Sequence, residues 1–427
     1  MSPMYGERGS LFYFMIIKSI EPHLLSCPLP EPVIFRFHGG QRTIYKRDAM
    51  VIRIETQDGA VGYAPGPASE DAVRKIEKEI APQLLGQKLV DPSHFVEDML
   101  DKYEDTIWST AGAVEVALYD LWGKANQCSV TDFFGGRKQE SVSCYGSAGM
   151  YQTAEKYAEE ALAVCELGFE AYKYRPALGP AEDLRTVELM REAVGSEVGL
   201  CLDAHAWWRM GDRSYSPAIV EFLAEAIAMH DITWLEEPLP VEDRDAYANI
   251  KSLGYVDIAA GEHEKDFLGF RTLLGRDCVD IVQADVSHHG GFSGISKIID
   301  LCERRFATFA FHNWGTSLET VVDALIGSCF PRQTARWLEY PQYAHRDKRV
   351  MYPFPLSDEL VPEAPVPVDG ELPLPVGYGL GVEVNEEVFS KYPYLKGPWS
   401  KFEIDSPKST QYLSGDHAQT WADESGN

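Results

Sequence analysis

The chain has 427 residues, 45% hydrophobic and 11% aromatic, with 39 Lys plus Arg against 66 Asp plus Glu and a formal net charge of −27. That length suggests two domains around ordinary globular cores, and the excess of acid repels nucleic-acid phosphates and anionic membranes, so neither is an expected partner. An anionic substrate would need a metal ion or buried basic residues to reverse the local sign.

The eight cysteines lie scattered through apolar stretches with no Cys-x-x-Cys pair, as expected of a reduced, cytoplasmic protein. The opening "LFYFMII" is only seven apolar residues long and no small-residue cleavage site follows it. Neither a signal peptide nor a membrane span is expected there.

After a polar leader (1–13), residues 14–138 read as an α+β unit. "FMIIKSIEPHLL" suggests a strand, "SCPLPEPVIFRFHGGQRT" a loop and "DAMVIRIETQDGAVGYA" a hairpin turning at Asp58 and Gly59. Of two helical stretches, the second is "AGAVEVALYDLWGKA", with Val114, Ala117, Leu118, Leu121 and Trp122 on one stripe.

From about 139 to 350 the rhythm changes. Short apolar runs at 142–147, 170–175, 198–203, 232–236, 256–262, 279–285, 306–312 and 335–339 alternate with amphipathic segments. Thr153 can cap the first of these helices, and Ser216 with Pro217 can open another. Eight strands, each followed by a helix, predict an α/β fold: a parallel (β/α) TIM barrel, here a modified (β/α)7-8 barrel behind an N-terminal capping domain. The Pro-rich stretch 351–398 is expected to return to the capping domain, and 399–427 to be a loose polar tail.

A charged or basic residue ends each run from the second onward: Lys173 with Arg175, Asp203 with His205, Glu236, Glu262, Asp285, His312 and Glu339. Successive spacings from Lys173 are 30, 33, 26, 23, 27 and 27 residues, one βα unit each. In a barrel such strand ends converge on one mouth. Residues two apart share a strand face, so Lys173 and Arg175 point inward while Tyr172 and Tyr174 pack outward.

Asp203, Glu236 and Glu262 come from three adjacent strands and would repel one another without a cation. Three carboxylates suit Mg²⁺, and no His or Cys pair has zinc-ligand spacing. Asp285 beside His312 makes a candidate general base, because a carboxylate fixes the imidazole tautomer and raises its basicity. His288 and His289, in the loop after the sixth strand, are expected to be peripheral. Within "IFRFHGG", Phe35, Phe37 and His38 are candidates to cover the mouth together with "APGPASED".

The motifs "YKYR", "LDAH", "WLEEP", "AAGE", "QADVSHHGG", "FHNWG" and "WLEY", in this order, resemble the enolase superfamily, in particular its mandelate racemase and sugar-acid dehydratase branch. The resemblance covers about residues 15–395. It implies Asp203, Glu236 and Glu262 as Mg²⁺ ligands, Asp285 and His312 as an acid/base dyad, and Glu339 as a hydrogen-bonding electrophile. Lys173 would contact the substrate carboxylate, and Arg175, His38 and Asn313 are candidates for substrate binding. Superfamily sites of this kind use a Lys or His base with Mg²⁺ stabilising an enediolate. An oligomeric assembly of identical chains is also expected.

Two features set this chain apart. Racemase-type members carry Lys-x-Lys, and here the second place is Arg175, which does not deprotonate near neutral pH. The common Asp-x-Asn is Asp203-x-His205, as in branches that dehydrate aldonic acids. The expected reaction is therefore Mg²⁺-dependent loss of water from a sugar acid, an aldonate or aldarate, giving a 2-keto-3-deoxy acid. His312 would remove the α-proton and His205 would help the 3-hydroxyl leave, or the two would exchange roles. A racemase, epimerase or cycloisomerase using the same enediolate is the nearest alternative. A metallohydrolase of the amidohydrolase type needs a His-x-His pair after the first strand, which "CYGSAG" lacks.

Overall fold

The computed structural model describes residues 15–103, 105–341 and 354–405. The leader 1–13, residues 342–353 and the last part of the tail, 406–427, lie outside it. Two strands of unusual length open the chain: β1 (Ile17–Phe37) and β2 (Gly40–Thr56) form one antiparallel hairpin, broken by a register shift between Pro28 and Val33. The segment read as a loop from sequence is thus strand, since its prolines fall at the irregularity. A tight turn follows, with Gly59 at φ 87° and its N–H donating to Thr56 O at 3.0 Å, and leads into β3 (Val61–Gly66).

The helix Trp108–Asn126 carries the expected apolar stripe, yet it is buried on nearly every side, Glu115 and Asp120 included. One side meets β3. The other meets the barrel helix Gly291–Arg305 so closely that a Cβ on Gly112 would lie 2.1 Å from Gly290 C. A helix between two layers has no solvent face to keep polar.

The barrel consists of β4 (Ser141–Met150), β5 (Ala171–Arg175), β6 (Gly199–Asp203), β7 (Ile232–Glu236), β8 (Ile258–Ala260), β9 (Ile281–Ala284), β10 (Thr308–Phe311) and β11 (Ala335–Tyr340). All eight run parallel, and β11 pairs with β4 to close the ring. Tyr145, Ala171, Cys201, Trp234, Ala259, Ile281 and Ala310 form one inner layer, with Trp337 against it. Two residues further along the same strands stand Ser147, Lys173, Asp203, Glu236, Gln283, His312 and Glu339. Alternation along a strand therefore puts this polar set on top of the apolar plug. Tyr172 and Tyr174 face outward into the main core. Ser216 caps its helix through Ile219 N, whereas Thr153 has N-cap backbone geometry without a side-chain bond.

The return segment makes two kinds of contact. A short strand β12 (Glu371–Pro373) adds antiparallel to β4 of the barrel, while Gly379 and Tyr392 hydrogen-bond back to Val130 and Ser26 of the capping domain. Residues 400–404 do not form a loose tail: β13 (Ser400–Ile404) pairs antiparallel with β2. Among the described residues no helix is long and apolar enough to cross a membrane. All eight cysteines are free.

Candidate active site

The polar ring above the plug is an ionic lattice. Lys173 Nζ lies 2.8 Å from Glu236 Oε1, 3.1 Å from Glu339 Oε1 and 3.7 Å from Asp203 Oδ2. Arg175 Nε is 3.2 Å from Asp203 Oδ2, and its guanidinium stands 4.3 Å from the centroid of Trp314. Burial opposes the charged form of Lys173, but Glu236 and Glu339 outweigh it and hold the ammonium well above its usual range. Glu339 is completely buried; it accepts from Ser147 Oγ and from Asn313 N at 3.1 Å. Glu236 is equally buried, with Oε2 accepting from Trp234 Nε1 at 3.0 Å and Gln283 Nε2 at 2.8 Å.

Two imidazoles stand above this floor, each tied to a carboxylate through Nδ1. His205 Nδ1 is 2.6 Å from Asp203 Oδ1, and His312 Nδ1 is 2.8 Å from Asp285 Oδ2. An ionised carboxylate only accepts, so Nδ1 carries the proton in both and Nε2 is the working nitrogen. Burial opposes the Asp203 carboxylate, yet His205, Arg175 and Lys173 hold it well below the usual carboxylate range. Burial likewise opposes the His312 imidazolium, and Glu262, whose Oε2 is 3.4 Å from His312 Nε2, together with Asp285 and Glu339 pushes it up to about 10.

A cavity of about 460 Å³ opens over these groups. Arg175, Asp203, His205, Glu262, Asp285 and His312 line its barrel side; Arg42, Arg47, Ala49, Gly66 and Ala68 line its capping side. Gly66 and Ala68 belong to "APGPASED", expected to cover the mouth. Arg42 lies 4.5 Å from the Trp399 ring centroid, Arg47 lies 4.5 Å from that of Phe354, and Arg209 lies 4.2 Å from that of Trp208. Aromatic faces thus hold three further arginines at the cavity of a strongly acidic protein.

Several sequence-derived assignments need correction. His288 and His289 are not peripheral: His289 is buried, and His288 places both its backbone N and its Nδ1 2.8 Å from Asp285 Oδ1. His38 does not reach the cavity; it lines a separate recess with Arg36, Gln41 and Arg213, and Phe37 lines the same recess. Phe35 lines another cleft, beside Tyr151 and Lys156. Lys173 and Glu339 are beneath the cavity, not in its wall. Asn313 does line the cavity, but its side chain donates to Thr320 Oγ1 at 2.7 Å and accepts from Gly315 N at 3.1 Å.

Sequence reading missed Glu237. This residue is fully buried, sits at φ 42° and ion-pairs with His263 at 2.8 Å. With Glu262 and His263 it offers donor atoms all within 4.8 Å of one another. A positive φ on a residue before Pro238 has no sequence signal beyond the crowded turn itself.

The three carboxylates expected to hold a metal are not gathered as a ligand set. Among the described residues the three donors within 4.8 Å of one another are those of Glu237, Glu262 and His263, while Asp203 pairs with Arg175 and Glu236 with Lys173. Asp203, Glu236 and Glu262 thus suit a hard divalent cation by their chemistry alone. Glu236 has Asp203, Glu262 and Glu339 close by, opposed by Lys173 at 2.8 Å. Glu262, the most open of the three, faces the cavity. Carboxylate oxygens of this kind are the donors that Mg²⁺ takes.

A closed parallel barrel with acids and imidazoles at the C-terminal mouth, under an α+β capping domain, is the architecture of the enolase superfamily. Residues 156–388 match the family model described as "Enolase C-terminal domain-like", and residues 30–135 match "Mandelate racemase / muconate lactonizing enzyme, N-terminal domain". The chain belongs to that superfamily, in its mandelate racemase and muconate lactonizing enzyme group. It is 28% identical to a D-galactarolactone cycloisomerase from Agrobacterium fabrum, over 88% of this chain and 99% of the relative. It is 30% identical to an L-rhamnonate dehydratase from Saccharopolyspora erythraea, over 81% and 85%. Among solved structures, the 3,6-anhydro-D-galactonate cycloisomerase of Zobellia galactanivorans superposes with a TM-score of 0.74 at 26% identity, covering 88% of this chain and 99% of that one. An enolase-superfamily member from Polaromonas superposes with a TM-score of 0.75, also at 26% identity, covering 90% and 99%.

Proposed function

We propose that this protein is a Mg²⁺-dependent dehydratase of a sugar acid, an aldonate or aldarate. The observation that carries the reading is the pair of imidazoles, His205 and His312, each oriented through Nδ1 by its own carboxylate and both lining one cavity. Elimination of water needs a base for the α-proton and an acid for the leaving hydroxyl, and two oriented imidazoles supply one of each.

Asp203, Glu236 and Glu262 would hold the metal. When bound, Mg²⁺ supplies a fixed positive charge at the acidic centre. Among the chain's own groups, Arg175 and Lys173 place positive charge where the substrate carboxylate gathers electron density. Against burial, Glu262 is the main group that holds His312 charged, and its engagement by the metal would free the neutral ring. His312 then takes the α-proton on Nε2, and Asp285 stabilises the imidazolium from the other side. The electron pair left on the α-carbon forms the enediolate. Its return forms the double bond, expels the 3-hydroxyl with a proton from His205, and leaves an enol that becomes the 2-keto-3-deoxy acid. Arg175 stays protonated throughout, so it serves as a fixed cation and leaves a two-base racemisation without its second base.

In deuterated buffer with Mg²⁺, His312→Asn is expected to lower both turnover and α-proton exchange by at least about 100-fold. Asp203→Ala is expected to lose activity together with metal binding. Full dehydration by the first variant would contradict the base assignment, and unchanged metal dependence in the second would remove the ligand assignment. The likeness to a D-galactarolactone cycloisomerase along nearly its whole length favours a second reading, isomerisation through the same enediolate. That reaction gives product with no net loss of water, which product analysis distinguishes.

A further inference from the structure

Asp285 carries histidines on both of its oxygens. His312 occupies Oδ2, and His288 occupies Oδ1 through Nδ1 and its own backbone N–H, all at 2.8 Å. The two rings differ in openness: the His288 side chain is 48% exposed, that of His312 19%. His288 lines the same cavity as His205 and His312. With Nδ1 donating to Asp285, the remaining ring nitrogen, Nε2, is left for a ligand; it donates while the ring is charged, a form that burial opposes but Asp285 favours, and accepts when the ring is neutral.

We propose that His288 is a substrate-binding residue, anchored on Asp285 through Nδ1 and hydrogen-bonded to a substrate hydroxyl through Nε2. This rests on the reading of the cavity as a sugar-acid site. A solvated surface histidine has no reason to take a double hold on a buried carboxylate. One that only props Asp285 in place has no reason to leave half its ring open on the cavity. A rigid hydrogen-bonding group next to the base discriminates among polyol chains, because a substrate without the matching hydroxyl leaves Nε2 unpaired.

The test uses two variants of the full chain with saturating Mg²⁺. His288→Asn keeps a donor near the Nδ1 position and removes Nε2. On a sugar acid that the wild-type protein dehydrates, it is expected to raise KM about ten-fold while kcat stays within about three-fold. His288→Gln keeps a polar group near the Nε2 position and gives up the anchor, and it is expected to lower kcat by a larger factor than it raises KM. An unchanged KM in His288→Asn overturns the proposal, whether or not kcat falls, because His288 would then act only through Asp285. If the wild-type protein dehydrates no sugar acid, the dehydratase reading fails separately. Calorimetric titration with L-rhamnonate and with D-galactarolactone then decides: about ten-fold weaker binding by His288→Asn supports the proposal, whereas equal affinity, or no binding to wild type, overturns it.

Discussion

Asp285 holds its place because burial, which would protonate it, is outweighed by the histidines around it, and its carboxyl lies well below the usual carboxylate range. Glu115 is the opposite case. It is buried between the capping helix and the helix Gly291–Arg305, where Oε2 accepts from Ser293 N at 3.0 Å and Oε1 has no hydrogen-bond partner. Burial pushes its carboxyl from 4.5 up to about 8. Between those values the folded state holds the proton and the unfolded chain does not, so this group's stabilisation is complete below about pH 4.5 and is lost as pH rises through about 8. Glu115→Gln, neutral at every pH, is expected to melt higher than wild type at pH 8.5, by an amount on the order of a few kcal/mol in stability, and close to wild type at pH 4.5. Thermal unfolding at both pH values checks this; the same pH dependence in the two proteins would contradict it. Sequence could not single out Glu115, since a helical Glu among apolar residues reads as the solvent face until the second layer is known. His288 was illegible for a related reason. Its role comes from a turn that folds its ring back onto Asp285, and no strand periodicity reports a turn.

At the scale of elements, the barrel strands were legible because each is a short apolar run ending in a charge, and the parity that separates Lys173 from Tyr172 follows from the chain alone. The capping hairpin was legible only in part: residues 14–25 and 48–64 read as strand, whereas the prolines at 28, 30 and 32 signal a loop, and only the long partner β2 makes that stretch a strand around them. β13 was hidden in polar sequence, because an edge strand needs few apolar residues. The junction between domains depends on glycine. Gly112 meets Gly290 and Gly291, which have φ of 79° and 69°, and a Cβ there would lie 2.1–2.2 Å from their backbone atoms. Backbone cannot step aside as a side chain can, so Gly112→Ala is expected to cost roughly 1–3 kcal/mol and to shift the capping domain over the cavity. Urea denaturation together with KM checks both effects. Wild-type values for both would show that the helix can move without disturbing the site.

Taken whole, the molecule carries a net charge of −27, and its cavity mixes Arg42, Arg47, Arg175, Arg209 and four histidines with six carboxylates, Asp48, Asp203, Glu262, Asp285, Glu319 and Asp323. Composition alone indicated that an anionic substrate would need a metal ion or buried basic residues, and the capping strand β2 supplies two of the four arginines at the cavity. The barrel positions the reaction chemistry, and the capping domain with the returning C-terminal segment encloses it. Superfamily membership follows from both halves, whereas the reaction depends on what lies in the cavity. The most direct measurement is a screen of the purified protein against C5 and C6 aldonates and aldarates for 2-keto-3-deoxy acid product, first with Mg²⁺ and then with EDTA in excess. The account predicts product from at least one acid with Mg²⁺, abolished by chelator and restored by added metal. Product that persists undiminished in chelator, or conversion of these acids only to isomers of unchanged mass, would contradict it.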